Sequence, residues 1–99
     1  MRSVLLTALI MTAITPATAQ DQALIEAGEQ VYEEHCASCH GEKLRSAGAI
    51  PDLRDLGAGE RARFDKAVLE GRGQMPAWEG VLSTQEFDQV WAFVRRYAR

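Results

Sequence analysis

The apolar positions of this chain form three helical stripes separated by two stretches with no period. Leu24, Ile25, Gly28, Val31, Tyr32 and His35 recur at three- and four-residue spacing, and Glu26, Glu29, Glu33 and Glu34 occupy positions between them. That alternation marks one buried and one solvated helix face. Asp21 precedes the stripe and is expected to cap the helix. From Gly41 to Gly59, Gly, Pro and short charged residues replace the period, which predicts a loop. Glu60 to Glu70 predicts a second helix with Phe64, Val68 and Leu69 inward and Gly71 as its stop. A second loop, Gly71 to Leu82, holds Met75-Pro76. Ser83-x-x-Glu86 is a capping box. It opens a last helix on which Phe87, Val90, Trp91 and Val94 share a face, with Tyr97 at its end. Arg95, Arg96 and Arg99 suit the negative end of that helix. No repeat, low-complexity tract or strand pattern interrupts this plan, so an all-α fold of three main helices is expected.

The amino end stands apart from that plan. Arg2, the apolar run Val4 to Ile14 broken only by threonines, and Ala17-Thr18-Ala19 have the layout of a secretory signal cleaved after Ala19. The expected domain is residues 20–99, exported to the periplasm, and its 80 residues start at Gln20. The apolar run is too short to span a bilayer, and no later stretch is apolar for long enough. Eighty residues are too few for a Rossmann or barrel enzyme. They lie near the ~70–80 residues below which a bare apolar core needs a staple or a cofactor. The full chain carries a formal charge of −3, which becomes −4 once Arg2 leaves with the signal. This acidity argues against nucleic acid as a partner, because phosphates call for a basic face.

Two cysteines carry most of the chemical information. In an oxidising compartment a disulfide is the first reading to weigh, but the local sequence is Cys36-Ala37-Ser38-Cys39-His40. This pentad is the attachment signature of c-type haem. Thiols three positions apart can each bond one vinyl group of a porphyrin, and the next residue then lies where an imidazole can reach the iron. A thioredoxin-like dithiol would open a helix after a strand, and the flank here is helical. Zinc would need two further Cys or His ligands, and only His35 remains, adjacent to Cys36.

One haem, with its iron, leaves a second axial position to fill. Met1 and Met11 fall in the signal, so Met75 is the remaining methionine, in a Gly/Pro loop 35 residues after His40. A methionine in a core normally sits on a periodic face; this one does not. His35 is on the wrong side of the ring, and Lys43 or Lys66 would have to lose a proton near neutral pH. His40 and Met75 are therefore the expected iron ligands, and Cys36 and Cys39 the expected covalent anchors.

With these residues in place the chain resembles a class I, monohaem cytochrome c over essentially its whole exported length. The motifs follow in that family's order: an aromatic helix, Cys-x-x-Cys-His-Gly, a proline, Met-Pro and a second aromatic helix. The resemblance implies that Gly28 and Tyr32 pack against Val90 and Phe93 where the first and last helices cross. It implies that Pro51, eleven residues after His40, lends its carbonyl to the imidazole N–H and so orients the ligand. Ile50-Pro51-Asp52-Leu53-Arg54 further resembles the cytochrome domains of periplasmic quinohaemoprotein dehydrogenases, which implies that Arg54 faces the haem propionates. Trp78 resembles the aromatic that closes the haem crevice. The stretch between Gly41 and Pro51 is leaner in glycine than the family pattern.

The charge is unevenly spread. Asp21 and four glutamates give the first helix five acids and no base, whereas Lys43 to Arg72 holds seven bases among the six acids from Glu42 to Glu70. An acidic helix that steers a basic partner is one reading, and an ordinary solvated face is the other. The expected function is that of a periplasmic electron carrier rather than an enzyme. As a monomer in transient complexes, it would pass single electrons from a dehydrogenase or other donor to a respiratory acceptor. The alternatives are a haem subunit held permanently by a periplasmic dehydrogenase, a ligand-binding or peroxidatic haem protein, and a thiol oxidoreductase.

Overall fold

A computed structural model describes residues 3, 5, 7, 17–46 and 50–99 of this chain. Most of the expected signal lies outside the described residues. The fold is all-α: α1 spans Ala17–His35, α2 is the single turn Ala37–His40, α3 spans Arg61–Glu70 and α4 spans Thr84–Arg96. Among the described residues there is no strand, only an isolated antiparallel bridge between Arg72 and Met75.

α1 starts earlier than expected. It is already helical at Ala17, so Asp21 lies inside the helix rather than at its cap. The alanines at 17, 19 and 23 are good helix formers and let the helix run back through the stretch where the capping signal was read. α4 starts as its sequence demands. The Ser83 hydroxyl accepts from the Glu86 N–H at 3.1 Å, and the Glu86 carboxylate accepts from the Ser83 N–H at 2.9 Å. α3 stops where Gly71 adopts φ +77° and its N–H bonds back to the Ala67 carbonyl.

The core is centred on the crossing of α1 and α4. Tyr32 and Phe93 are each 1% exposed, and their ring centroids lie 5.1 Å apart. Val31, Phe87, Val90 and Val94 join them from the same two helices. Burying each such side chain contributes roughly 1.5–3 kcal/mol. Gly28 makes the crossing possible, because a Cβ there would run into the Gln89 carbonyl and come within 3.0 Å of the Phe93 Cβ. α3 adds Phe64 and Val68 to the core. It is also fastened to α4 by Arg61, which bonds Asp65 at 2.7 Å and Asp88 at 2.6 Å and lies 6.0 Å from the Trp91 ring centroid.

The first expected loop is more ordered than its composition suggests. Three short 3-10 turns, Glu42–Leu44, Leu53–Asp55 and Ala58–Glu60, occupy parts of it. Leu44 is fully buried despite having no periodic neighbours. It and Lys43 hold left-handed backbone, φ +64° and +53°. Such a conformation costs about 1 kcal/mol or more for a non-glycine residue and persists only where packing enforces it.

Candidate haem site

The Cys36–His40 pentad occupies one helical turn placed directly after α1. The Cys36 N–H still bonds the Tyr32 carbonyl of α1 at 2.8 Å. The Cys36 carbonyl in turn accepts from Cys39 at 3.2 Å and from His40 at 2.9 Å. The turn therefore inherits the direction of α1, and the two thiols fall on one side of it. Both thiols are free; Cys36 is half-buried and Cys39 exposed. Burial, with Cys39 adding to it, pushes the Cys36 thiol up to about 11.

His40 is held by the same turn. Burial lowers its pKa below the usual histidine value, so the ring is neutral at pH 7 and keeps a lone pair on one nitrogen. Its Nδ1 is buried with no hydrogen-bond partner. Gly41 follows with φ +86°, and a Cβ there would collide with the Arg45 carbonyl, so the turn out of the pentad requires glycine. The buried Tyr32 hydroxyl donates to the Gly41 carbonyl at 2.6 Å, which ties the pentad's exit to the α1–α4 crossing. Desolvation raises Tyr32 to about 12 and keeps that donor protonated.

Met75 sits in a tight turn after α3. Its N–H bonds the Arg72 carbonyl at 3.0 Å, and its carbonyl accepts from the Arg72 N–H at 3.1 Å. The side chain is partly buried against the core. Trp78 returns the chain to α3 through a 2.8 Å bond from its N–H to the Val68 carbonyl. Its ring lies 5.0 Å from that of His35, the residue preceding Cys36. Trp78 thus links the Met75 loop to the helix end that carries the pentad.

Pro51 precedes the turn Leu53–Asp55 and Arg54 lies within it. Pro51 is exposed, and its carbonyl does not receive the His40 N–H, since Nδ1 has no partner. The neighbouring residues explain why. Asp52 caps the turn Leu53–Asp55 and is bound by Arg99 at 3.1 Å, and the Arg99 N–H bonds the Arg54 carbonyl at 2.9 Å. These contacts hold the segment to the end of α4. The Arg54 fork bonds Asp52, with Nε to Oδ1 at 2.9 Å and Nη2 to Oδ2 at 2.6 Å. Leu44 and the His35–Trp78 pair are absent from the sequence reading. Neither carries a signal there: Leu44 is a single apolar residue between Lys43 and Arg45, and no spacing in the chain pairs His35 with Trp78, 43 residues on.

The profile of a family described as cytochrome c oxidase, cbb3-type, subunit III matches residues 23–94, from inside α1 to near the end of α4. The chain belongs to this cytochrome c family. Among relatives, the quinohemoprotein alcohol dehydrogenase ADH IIB of Pseudomonas putida is 36% identical over 73 residues, which are 71% of this chain and 11% of that protein. The cbb3-type cytochrome c oxidase subunit FixPc of Rhizobium leguminosarum bv. viciae is 35% identical over 83 residues, 78% of this chain and 29% of that protein. Cytochrome c6 of Euglena gracilis is 39% identical over 75 residues, 68% of this chain and 85% of that protein. The chain thus spans a minor part of the dehydrogenase and of the oxidase subunit. No solved structure matches it. Membership implies a covalently bound haem c with its iron and a role in electron transfer. The pentad fits that group: it has two unpaired thiols on one turn and a buried, neutral histidine whose Nδ1 is left without a partner.

Proposed function

We propose that this cytochrome c domain is a periplasmic single-electron carrier, with Cys36 and Cys39 as the covalent anchors of its haem and His40 and Met75 as the axial donors. The observation that carries the reading is the one-turn array of two free thiols and a buried, unpartnered histidine, combined with a lone methionine in a structured turn. Haem iron supplies a one-electron ferrous/ferric couple, and a thioether donor favours the ferrous side relative to a second imidazole.

The chain's own residues set the conditions for that couple. Burial keeps the His40 ring neutral, so a nitrogen lone pair is available without first removing a proton. Tyr32 fixes the exit of the pentad through Gly41. The Arg72–Met75 backbone pair fixes the turn that carries the thioether, and Trp78 against His35 shields the flank next to Cys36. If His40 and Met75 both supply donors to the iron, the bound haem would be left no open position for a substrate, which favours a carrier over an enzyme. The thiol oxidoreductase reading is disfavoured by the Cys36 thiol itself. A reactive cysteine has a depressed pKa, and burial here raises it to about 11.

A second reading, a haem domain held permanently within a larger complex, is favoured by relatives that are mostly longer proteins, a quinohemoprotein dehydrogenase and an oxidase subunit among them. The test is expression with a c-type maturation system. The carrier reading expects a Soret band that survives acid-acetone extraction, loss of that band in Cys36→Ala/Cys39→Ala, and purification as a free small protein. Haem-free protein would end the reading, and stoichiometric co-purification with a larger dehydrogenase or oxidase would replace it with the second.

A further inference from the structure

We propose that Gly71 is the positioning residue of the Met75 donor: the turn that carries the thioether is seated on its bare Cα, and that seat fixes where the sulfur lies. The inference deepens, and rests on, the reading of Met75 as an axial donor. The end of α3 already calls for glycine here, because the chain leaves the helix at φ +77°, ψ +168°, a region essentially closed to residues with a side chain. The packing adds a second demand. A Cβ on Gly71 would come within 2.6 Å of the Met75 carbonyl oxygen, 3.0 Å of the Ala77 nitrogen and 3.1 Å of the Pro76 carbonyl carbon. All three are backbone atoms of the turn that carries the donor, so no side-chain rotation relieves the contact.

The turn is fastened to α3 on both sides of this seat. The Gly71 N–H donates to the Ala67 carbonyl at 2.9 Å, and Arg72 and Met75 exchange both backbone hydrogen bonds, at 3.0 and 3.1 Å. Beyond Met75, the Trp78 N–H bonds the Val68 carbonyl at 2.8 Å and the Glu79 N–H bonds the Leu69 carbonyl at 3.3 Å. Val68 and Leu69 belong to the last turn of α3, whose carbonyls have no partner within the helix. The chain that follows the donor therefore completes the helix end, and Met75 is folded back over Gly71.

A methyl group on Gly71 has to push one of the two sides away. α3 resists, because Phe64 and Val68 anchor it in the core. The turn yields, because Arg72, Gly73, Gln74 and Pro76 are exposed on its outer side. A donor set tolerates a displacement of only ~0.5 Å, and a carbon held 2.6 Å from a backbone oxygen demands a shift on that scale. Gly71→Ala therefore moves Met75 off its position while the α1–α4 crossing, built from other residues, stays intact. Gly73 and Gly80 supply the comparison. They share the left-handed sense, with φ +59° and +79°, but a Cβ on either meets nothing within 4 Å.

The experiment uses the holoprotein and reads the near-infrared thioether band of the ferric form and the carbon monoxide affinity of the ferrous form. Carbon monoxide binds only molecules in which Met75 is off the iron, so its apparent affinity reports that fraction. Met75→Ala is measured first; if it keeps the band, the axial reading fails and the seat with it. Where Met75→Ala loses the band, Gly71→Ala should weaken it and raise the carbon monoxide affinity by ~10-fold or more, with helix content and covalent haem unchanged. Gly73→Ala and Gly80→Ala should leave both readouts at the parent's values. Added to Met75→Ala, Gly71→Ala should change the affinity no further, because the seat acts through Met75. A full band in Gly71→Ala, an equal loss in Gly73→Ala or Gly80→Ala, or an effect of Gly71→Ala that persists without Met75 would each overturn the seat while leaving Met75 as the donor. A Gly71→Ala protein that holds no haem or loses its helices would overturn it too, since the glycine would then serve the fold rather than the donor.

Discussion

The α1–α4 crossing and the segment from Gly41 to Glu60 are built on opposite principles. The crossing is apolar, aromatic and close enough that Gly28 touches the opposing backbone. Its described residues hold 3-10 turns, two left-handed non-glycine residues, and Asp52, Arg54 and Asp55 in a charged knot with Arg99 from beyond α4. Among them one side chain, Leu44, is fully buried. In a domain of this size the first region supplies most of the folding free energy and can absorb little change. The second is shaped by hydrogen bonds and ion pairs that water can replace, so it can vary while the helices stay together. Tyr32 joins the two: its ring belongs to the crossing and its hydroxyl holds the Gly41 carbonyl. The position of His40 is thus referenced to the rigid region although the chain around it belongs to the adaptable one.

Four perturbations test this contrast, from the largest expected effect to the smallest. Gly28→Val should abolish cooperative folding, because a β-branched side chain cannot fit against the Gln89 carbonyl. The cost should consume most of the ~5–15 kcal/mol typical of a domain, and a thermal melt of the holoprotein should show no transition. A cooperative melt within a few degrees of the parent would mean that the helices can separate at no cost. Met75→Ala should do the reverse: helix content and covalent haem stay, while the near-infrared thioether charge-transfer band disappears, the ferric form turns high-spin and the reduction potential falls. Retention of the band would assign the axial position to another side chain.

Asp52→Asn sharpens the contrast through pH. Hydrogen bonds from Arg54, side chain and backbone, hold the Asp52 carboxyl well below the usual carboxylate range. A carboxyl with a depressed folded-state pKa adds stability that is complete above its unfolded value of ~3.9 and is lost as pH falls toward the folded value. The parent should therefore lose stability on acidification below about pH 4 more steeply than Asp52→Asn, with the α1–α4 aromatic signals unaffected at neutral pH. Identical acid titrations would show that the knot contributes nothing. Ser83→Ala removes one half of the α4 capping box and should cost ~1 kcal/mol, read as a small drop in denaturation midpoint with an unchanged haem spectrum.

How far each region could be read in advance follows the same division. The α4 capping box, the Gly71 stop, the inward faces of α3 and α4, and the pairing of Gly28 and Tyr32 with Val90 and Phe93 all appear in the structure as their pattern or the family resemblance implied. The pentad was legible because its chemistry is local: two thiols and an imidazole on one turn are placed by helix geometry alone. Asp21 misled because good helix formers ahead of a capping residue can carry the helix past it. The surroundings of Arg54 were not legible because Arg99, 45 residues away along the chain, bonds both the Arg54 carbonyl and its partner Asp52.

Periodicity, caps and the Cys-x-x-Cys-His spacing are short-range properties, with interactions between residues a few positions apart, and the sequence by itself therefore determined the helices and the cofactor class. The burial of Leu44, the tilted contact of Trp78 with His35 and the fastening of Asp52 by Arg99 were decided by the tertiary structure alone. Each depends on which distant residue arrives first at a partner that several could satisfy, and at the surface that competition between ion pairs and water is settled by packing geometry rather than by composition.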